Sequence, residues 1–246
     1  MANTYFQFKQ FTVHQEHTAM KVCTDACLFG AWVAKDLSLN NVNSILDIGT
    51  GTGLLSLMLA QITSENKILA KITAIEIEAA AAKEASSNFK ASPWNDNIHL
   101  VQSAIQDYEN SNPFDCVISN PPFFEGDLQS PDLNKNLASH STALPWSDLI
   151  KDINRFLKQD GVFYVIIPAL RAYTMQKLAT QIGIQLDEEV VVFNAEKQKP
   201  FRVFQKYIKT NTQVTEIKRS NFIIKNSDNS YTNAFTELLK DYYLHL

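Results

Sequence analysis

The residues with the clearest chemistry follow the apolar segment Asp115–Ser119, where the chain continues as Asn120-Pro121-Pro122-Phe123. An exocyclic amine on an aromatic ring is a weak nucleophile, because its lone pair is delocalised into the ring. The Asn120 side-chain oxygen and the Pro121 carbonyl could each accept one N–H and turn that lone pair outward. Proline fixes φ at about −65°, so this carbonyl is held rigidly, and the Phe123 ring could stack on a flat substrate. These four residues form a candidate catalytic group; the alternative is a stiff loop followed by core phenylalanines.

A second candidate site is the run DIGTGTG, which begins at Asp47 and ends at Gly53. Glycine lets the backbone turn sharply and approach a ligand closely, and a helix behind such a run offers free N–H groups. A dinucleotide-binding G-x-G-x-x-G motif fits only at Gly49 and Gly51, because its third glycine position is Leu54. An NAD site and a turn without a ligand both stay open as alternatives.

These residues need a scaffold, which the alternation of apolar segments predicts. Predicted strands are 44–48, 72–76, 97–102, 115–119 and 161–168, and predicted helices are 54–62, 78–88, 146–157 and 171–181. Strands that alternate with helices indicate a parallel sheet covered on both faces. Later strands near 188–194, 201–209 and 215–225 lack intervening helices, so we expect antiparallel pairing before a closing helix at 231–244. Residues 1–43 and 121–145 have no predicted element.

The spacing D-x-G-x-G-x-G resembles the first motif of class I S-adenosylmethionine (SAM)-dependent methyltransferases. The resemblance implies that Asp47, Gly49, Gly51 and Gly53 form the loop behind the methionine part of SAM. It also implies that Glu76, which ends the second predicted strand, binds the ribose hydroxyls; charge-assisted hydrogen bonds suit that task. The implied fold is α/β: a Rossmann-like class I methyltransferase sheet of about seven strands, mostly parallel, with antiparallel C-terminal strands.

The Asn-Pro-Pro-Phe tetrapeptide resembles the (N/D)PP(Y/F) motif of methyltransferases that act on amino groups. Such enzymes methylate adenine N6 in DNA or RNA, guanine N2 in RNA, or glutamine N5 in release factors, and the motif leaves these acceptors open. DNA enzymes of this type normally carry a separate target-recognition domain, for which 246 residues leave no room. We expect residues 1–246 to form one methyltransferase domain, with 1–43 as an N-terminal cover and 197–230 as basic C-terminal strands.

The N-terminal segment Phe6–Trp32 narrows the family further. It resembles the start of the bacterial tRNA(Val)-specific adenine-N6 methyltransferases, and the resemblance continues through LDIGTGTG, SPW, ISNPPFF and the tail YTNAFTELLKDYYLHL. It implies SAM as the methyl donor and, in the anticodon stem-loop of tRNA, the adenine next to the anticodon (position 37) as the acceptor. It also implies that Thr24 and Asp25 contact the methionine end of SAM.

One position departs from the pattern of the resembling enzymes. They often carry an acid after the third predicted strand that contacts the SAM adenine, and this chain has Ala104 there. Recognition of that adenine would then rest on backbone groups, Ser103 or the nearby Gln106 and Asp107.

Composition limits the class of protein. The apolar fraction is 45%, and the longest apolar run, near Val162–Leu170, is too short to span a bilayer. The N-terminus lacks a basic stretch followed by an apolar one, which argues against a secretory signal. Three cysteines without a CxxC pair predict neither a disulfide framework nor a zinc site. We therefore expect a soluble cytoplasmic protein without a metal.

Charge is distributed unevenly in this chain of net charge −4. Residues 197–225 hold eight Lys and Arg and one acid, a net +7. A one-sided basic patch suits a phosphate-bearing partner, so Lys197, Lys199 and Arg202 are candidate RNA contacts; the alternative is a solvated strand edge. The predicted function is SAM-dependent tRNA adenine-N6 methylation. Its rivals are rRNA guanine-N2 or protein glutamine-N5 methylation, and RNA binding by a non-catalytic protein with a vestigial SAM fold.

Overall fold

The computed structural model describes residues 3–18, 20–38, 42–68, 70–122 and 145–246. The strands in these ranges are β1 (Tyr5–Gln7), β2 (Thr12–His14), β3 (Ser44–Ile48), β4 (Lys71–Glu76), β5 (Ile98–Gln102), β6 (Phe114–Ser119), β7 (Leu157–Pro168), β8 (Ile184–Ala195), β9 (Arg202–Lys209) and β10 (Lys218–Lys225). The helices are α1 (Thr24–Leu37), α2 (Leu54–Glu65), α3 (Ala79–Ala91), α4 (Trp146–Phe156), α5 (Ala172–Thr180) and α6 (Asn233–Leu239). None of these helices has the length and apolar run needed to cross a membrane.

The main sheet has eight strands in the order β5-β4-β3-β6-β7-β9-β8-β10. The five strands from β5 to β7 are parallel, and β9 runs antiparallel to both β7 and β8. The predicted α/β class, with a mostly parallel sheet and antiparallel C-terminal strands, is confirmed. The last strand differs from simple consecutive pairing, because β10 lies beside β8 and parallel to it. Both edges of β9 are already occupied, and β10 joins the sheet at the outer edge of β8.

Helices cover both faces of this sheet, because successive side chains of a strand point to opposite faces. Ile45 belongs to the apolar core under α1, α2 and α3, whereas the next residue, Leu46, belongs to the core under α4 and α5. The same division recurs at Cys116 and Val117 on β6. The central strands are therefore buried on both sides, so only residues at the strand ends can contact a ligand.

The N-terminal region is more regular than the sequence indicated. It contains the β1–β2 hairpin and the 14-residue helix α1, where no element was predicted. Helix α1 is buried around most of its circumference, so its sequence lacks the alternation of apolar and polar residues that reveals a surface helix.

The hairpin joins the start of the chain to two distant segments. The Asn88 side chain of α3 accepts a hydrogen bond from His14 N and donates to His14 O, both at 2.9 Å, and it also donates to Thr52 O. At the turn of the hairpin, Lys9 N donates to Tyr242 O at 2.8 Å, near the end of the chain. The hairpin is thus held by α3 on one side and by the C-terminal residues on the other.

The carboxyl ends of the parallel strands are level with one another. Ile48 of β3 lies opposite Ile75 of β4 and Ser119 of β6. The Ser119 hydroxyl also donates a hydrogen bond to Ile48 O at 2.9 Å. Strand order reverses between β3 and β6, and in open α/β sheets such a switch point is where ligands bind. The residues that follow these strand ends, Gly49 and Asn120 among them, therefore share one edge.

Gly53 and Gly183 provide a matched pair of substitutions that tests the packing behind the glycine loop. Their φ angles are +86° and +83°, but a Cβ at Gly53 would lie 2.3 Å from the Phe89 ring, whereas nothing lies within 4 Å of a Cβ at Gly183. We expect Gly183→Ala to lower the free energy of unfolding by about 1–2 kcal/mol, the cost of a left-handed alanine. Gly53→Ala should cost about 1–3 kcal/mol more, because it overpacks the contact with α3. Urea unfolding measures both; equal losses would contradict the Phe89 contact.

Candidate active site

The glycine loop lies between β3 and α2 and is fixed to the end of β4. Gly49 N and Thr50 N both donate to Ile75 O, at 2.9 and 3.0 Å. Gly49 and Gly51 have φ angles of +71° and +57°, and a Cβ on either would meet no atom of the described residues within 4 Å. The loop is thus hydrogen-bonded to the end of β4 on one side. On the other side, where these Cβ atoms would point, the described residues leave open space. An extended ligand can approach its backbone there, which fits the methionine end of SAM.

Asp47 lies beneath the loop and has no exposed surface. Its Oδ2 accepts hydrogen bonds from the Thr50 hydroxyl at 2.6 Å and the Ser56 hydroxyl at 2.7 Å, while Oδ1 has no partner in the part of the chain that the structure describes. Burial raises the pKa of this carboxyl from 3.8 to about 6; the hydrogen bonds from Thr50 and Ser56 oppose that shift, and the charge of Glu76 adds to it. Asp47, predicted to bind the cofactor, is therefore placed to shape the loop.

Glu76 ends β4 and faces the same loop. Its Oε2 accepts a hydrogen bond from Gly51 N at 2.8 Å, and Oε1 accepts one from Glu78 N at 2.9 Å. A carboxylate oxygen has two acceptor sites, so each oxygen keeps one for a ligand hydroxyl. This geometry fits a ribose diol. The loop and the acid, 25 positions apart in the chain, form one structural unit.

Ile77 follows Glu76 and was missed in the sequence analysis. Its side chain is 57% exposed, whereas the three residues before it are buried. Ser103 and Ala104 follow the next strand, and Ser103 N donates to Glu76 O at 3.0 Å. The Ser103 hydroxyl donates to Ala104 O. Ile77 and Ala104 thus offer two apolar surfaces beside Glu76, which suits a flat base better than it suits a charged group. An apolar residue directly after the strand acid was the available signal.

Asn120 stands one residue beyond β6. Its Oδ1 is buried and has no hydrogen-bond partner among the described residues. A buried acceptor without a partner costs about 1–3 kcal/mol, so a folded protein keeps one only where something else satisfies it. Pro121 is buried and Pro122 is exposed. Phe123, predicted to stack on the substrate, lies outside the described residues.

Asp25 and Arg202 form an ion pair at the same edge of the sheet. Arg202 Nε donates to Asp25 Oδ2 at 2.7 Å, and both side chains are largely buried. Because Arg202 begins β9 opposite Pro168, at the carboxyl end of β7, the pair fixes the start of α1 beside the site. Thr24 precedes Asp25 and is exposed. A predicted cofactor contact and a predicted RNA contact are therefore bound to each other.

The basic residues of the segment 197–225 do not form one continuous surface. Lys206 is buried and paired with Asp36 at 2.8 Å and with Asp187 at 3.6 Å. Lys209 donates to two backbone carbonyls, and Arg219 pairs with Glu189. Lys197 and Lys199 are exposed in the loop between β8 and β9, which lies at the carboxyl edge because β9 begins there. These two lysines are the strongest candidates for phosphate contact in the segment.

The buried Asp47 charge gives stability a testable pH dependence. The folded-state pKa is raised to about 6 from 3.8, so the folded state holds this proton more tightly than the unfolded state. The contribution of Asp47 to stability is therefore greatest below pH 4 and is lost as pH rises to about 6, by about 3 kcal/mol in total. Asp47→Asn has no charge to bury. We expect the unfolding free energy of the variant, relative to that of the wild type, to rise by about 2 kcal/mol from pH 4 to pH 7, because a part of the change falls below pH 4. A difference that is constant in urea titrations across this range would contradict the shifted pKa.

Comparison with known proteins bears out the fold. The family model Methyltransferase small domain matches residues 30–188. The fold is similar to that of a predicted O-methyltransferase from Agrobacterium tumefaciens, with a TM-score of 0.65, 15% identity, and coverage of 88% of this chain and 95% of that chain. It is also similar to a protein from Listeria monocytogenes assigned as a class I SAM-dependent methyltransferase, with a TM-score of 0.61, 15% identity, and coverage of 85% and 67%. In the described ranges no group of three His, Cys, Asp or Glu residues could hold a metal ion.

Relatives at higher identity extend over the full chain. A protein from Dyadobacter fermentans is 39% identical over 98% of both chains, and one from Cytophaga hutchinsonii is 39% identical over 100% of both. One from Pseudoalteromonas translucida is 37% identical over 98% of this chain and 99% of its own. All three are named tRNA1(Val) (adenine(37)-N6)-methyltransferase. The chain belongs to the family of the tRNA1(Val) (adenine(37)-N6)-methyltransferases.

Proposed function

We propose that this protein transfers the methyl group of SAM to N6 of the adenine next to the anticodon, position 37, of tRNA(Val). The observation that carries the proposal is the buried, unpartnered Oδ1 of Asn120 at the edge that also holds the glycine loop and Glu76. An amide oxygen in that state can accept a hydrogen bond from a ligand. An adenine N6 amine provides two such N–H donors. Full-length similarity to relatives of that name supports the choice of acceptor.

The proposed contribution of the protein to catalysis is to position the target amine. When bound, SAM supplies an electrophilic methyl group on a sulfonium. Asn120 Oδ1 and the Pro121 carbonyl each accept one N–H of the target amine, which turns its lone pair out of the ring plane. Both acceptors are fixed before the substrate arrives, so the transition state needs little reorganisation. An amide oxygen is too weak a base to remove a proton, so Asn120 acts as an acceptor throughout, and the proton that N6 loses on methylation passes to water. Phe123 is assigned the stacking role from the sequence alone.

The SAM site is proposed to lie at the ends of β3, β4 and β5. Gly49, Gly51 and Gly53 line the methionine part, and Glu76 accepts the ribose hydroxyls. Ile77, Ser103 and Ala104 flank the adenine. Asp25, held by Arg202, and the exposed Thr24 border the site from the start of α1. Residues 1–246 would act as one methyltransferase domain, in the cytoplasm, where tRNA is found.

Nucleoside mass spectrometry tests the function against its rivals. Unmodified tRNA(Val) and SAM are incubated with the protein, and the digested nucleosides are examined. N6-methyladenosine supports the proposal, and fragment mapping gives its position. N2-methylguanosine in rRNA, or methylglutamine in a release factor, would assign the site to another acceptor. No methyl transfer by a protein that binds both SAM and tRNA would favour the non-catalytic alternative.

Substitution of Asn120 separates acceptor chemistry from donor binding. Asn120→Ala removes an acceptor needed most in the transition state, so kcat for tRNA should fall about a hundredfold or more. The affinity for SAM, measured by calorimetry, should stay the same. Glu76→Ala is the matched contrast, and it should weaken SAM binding by about 1.5–3 kcal/mol. Near-normal turnover by a folded Asn120→Ala protein would contradict a role for Asn120 in the reaction.

Lys197, Lys199 and Arg202 are proposed to contribute differently to tRNA binding. The two lysines are exposed and free to contact phosphates, so Lys197→Ala/Lys199→Ala should flatten the salt dependence of the tRNA Kd by about two in log–log slope. The double variant Lys83→Ala/Lys90→Ala removes equal charge from exposed positions of α3 and should leave the slope unchanged. Arg202→Ala should chiefly raise the Kd for SAM, because Asp25 loses its partner. If both double variants show the same salt dependence of the tRNA Kd, Lys197 and Lys199 are solvated side chains that do not contact tRNA.

A further inference from the structure

The end of β7 leads into an exposed segment beside the candidate active site. β6 and β7 pair in parallel, with Ser119 opposite Val165, so β7 extends past the end of β6 as far as Pro168. The chain then makes the 3-10 turn Ala169–Arg171 and enters α5. This segment therefore lies at the same edge as Asn120, on the neighbouring strand.

Two large side chains on this segment have little contact with the protein. Leu170 is 91% exposed and Tyr173 is 75% exposed, more than any other large hydrophobic residue in the described ranges. The helix that carries Tyr173 is nevertheless well packed, since Met175 and Ala179 on its other face are fully buried. Tyr173 is thus displayed by a rigid element. Adjacent exposed apolar residues at the rim of a site indicate a contact surface.

Lysines lie on the segment that carries Tyr173 and on the loop next to it. Lys177 is exposed and lies one helical turn further along α5, on the same face. Lys197 and Lys199 belong to the β8–β9 loop, which a backbone hydrogen bond from Ala169 N to Phe201 O (3.3 Å) holds against the segment. The loop also contains the exposed Glu196, so three lysines and one acid leave this surface positive.

We propose that Leu170 and Tyr173 form a stacking platform for an unpaired base beside the target adenine, with Lys177, Lys197 and Lys199 on the adjacent phosphates. The inference rests on the proposed function for the identity of the RNA. An adenine that reaches Asn120 must leave the stack of its loop, and its neighbours then lose a stacking partner. A ring on the next strand end, with cations around it, replaces that partner. Proteins that bind single-stranded nucleic acid combine the same two features.

Binding to two RNA hairpins tests the platform. One hairpin is the unmodified anticodon stem-loop of tRNA(Val), and the other has the same stem closed by a compact, fully stacked loop. Tyr173→Ala should raise the Kd for the first about tenfold and leave the second unchanged, because only the first offers a free base. Tyr173→Phe keeps the ring and should bind both as the wild type does. Lys177→Ala should lower the log–log salt slope by about one, whereas Tyr173→Ala should leave that slope intact.

Two controls keep the outcomes distinct. Leu170→Ser, at the most exposed position of the platform, should also weaken stem-loop binding, whereas Lys90→Ala on α3 should not. Each variant must bind SAM and melt as the wild type does. Wild-type affinity of Tyr173→Ala for the stem-loop, or an equal loss on both hairpins, would overturn the platform. Absence of N6-methyladenosine from the wild-type reaction would reject the proposed function instead, and the hairpin comparison would still decide on the platform.

Discussion

The site depends on the register of three parallel strands, β3, β4 and β6. Ile48, Ile75 and Ser119 lie side by side, so the residues that follow them emerge at one level. Because side chains alternate between the faces of a sheet, a shift of one residue in β6 would exchange its two faces and displace Asn120. Burial of β6 on both faces and the Ser119 hydrogen bond to β3 oppose that shift.

Two carboxylates hold the glycine loop from different sides. Asp47 bonds to side chains of the loop and of the first turn of α2, whereas Glu76 bonds to the Gly51 N–H. Burial makes the ionised form of Asp47 unfavourable, which raises its pKa. A cation bound above the loop would favour the ionised form, so binding of a sulfonium ligand and release of the Asp47 proton are thermodynamically linked.

The sequence predicted the positions of the candidate site residues best at the strand ends. Glu76 and Asn120 each stand at the end of an apolar segment, and the alternate glycines mark their loop, so local pattern was sufficient. The Asp25–Arg202 pair joins residues 177 positions apart, and no local pattern reveals it. Lys206 looks like an edge lysine in the sequence, yet it is buried because Asp36 and Asp187 meet it there. Which of the basic residues are exposed therefore depends on acidic side chains that only the fold brings close to them.

Closure of the hairpin by both α3 and the C-terminal residues has a consequence for synthesis on the ribosome. The Lys9 N–H finds its acceptor at Tyr242, and His14 finds Asn88. The hairpin can therefore bind α3 early, but it cannot complete its contacts until the segment around Tyr242 has been synthesised. Until then the aromatic side chains of Phe6 and Phe8, which pack near Tyr243 in the folded protein, lack that partner. The apolar side of the hairpin that faces Tyr243 is thus left without this cover until the segment around residue 243 has been made.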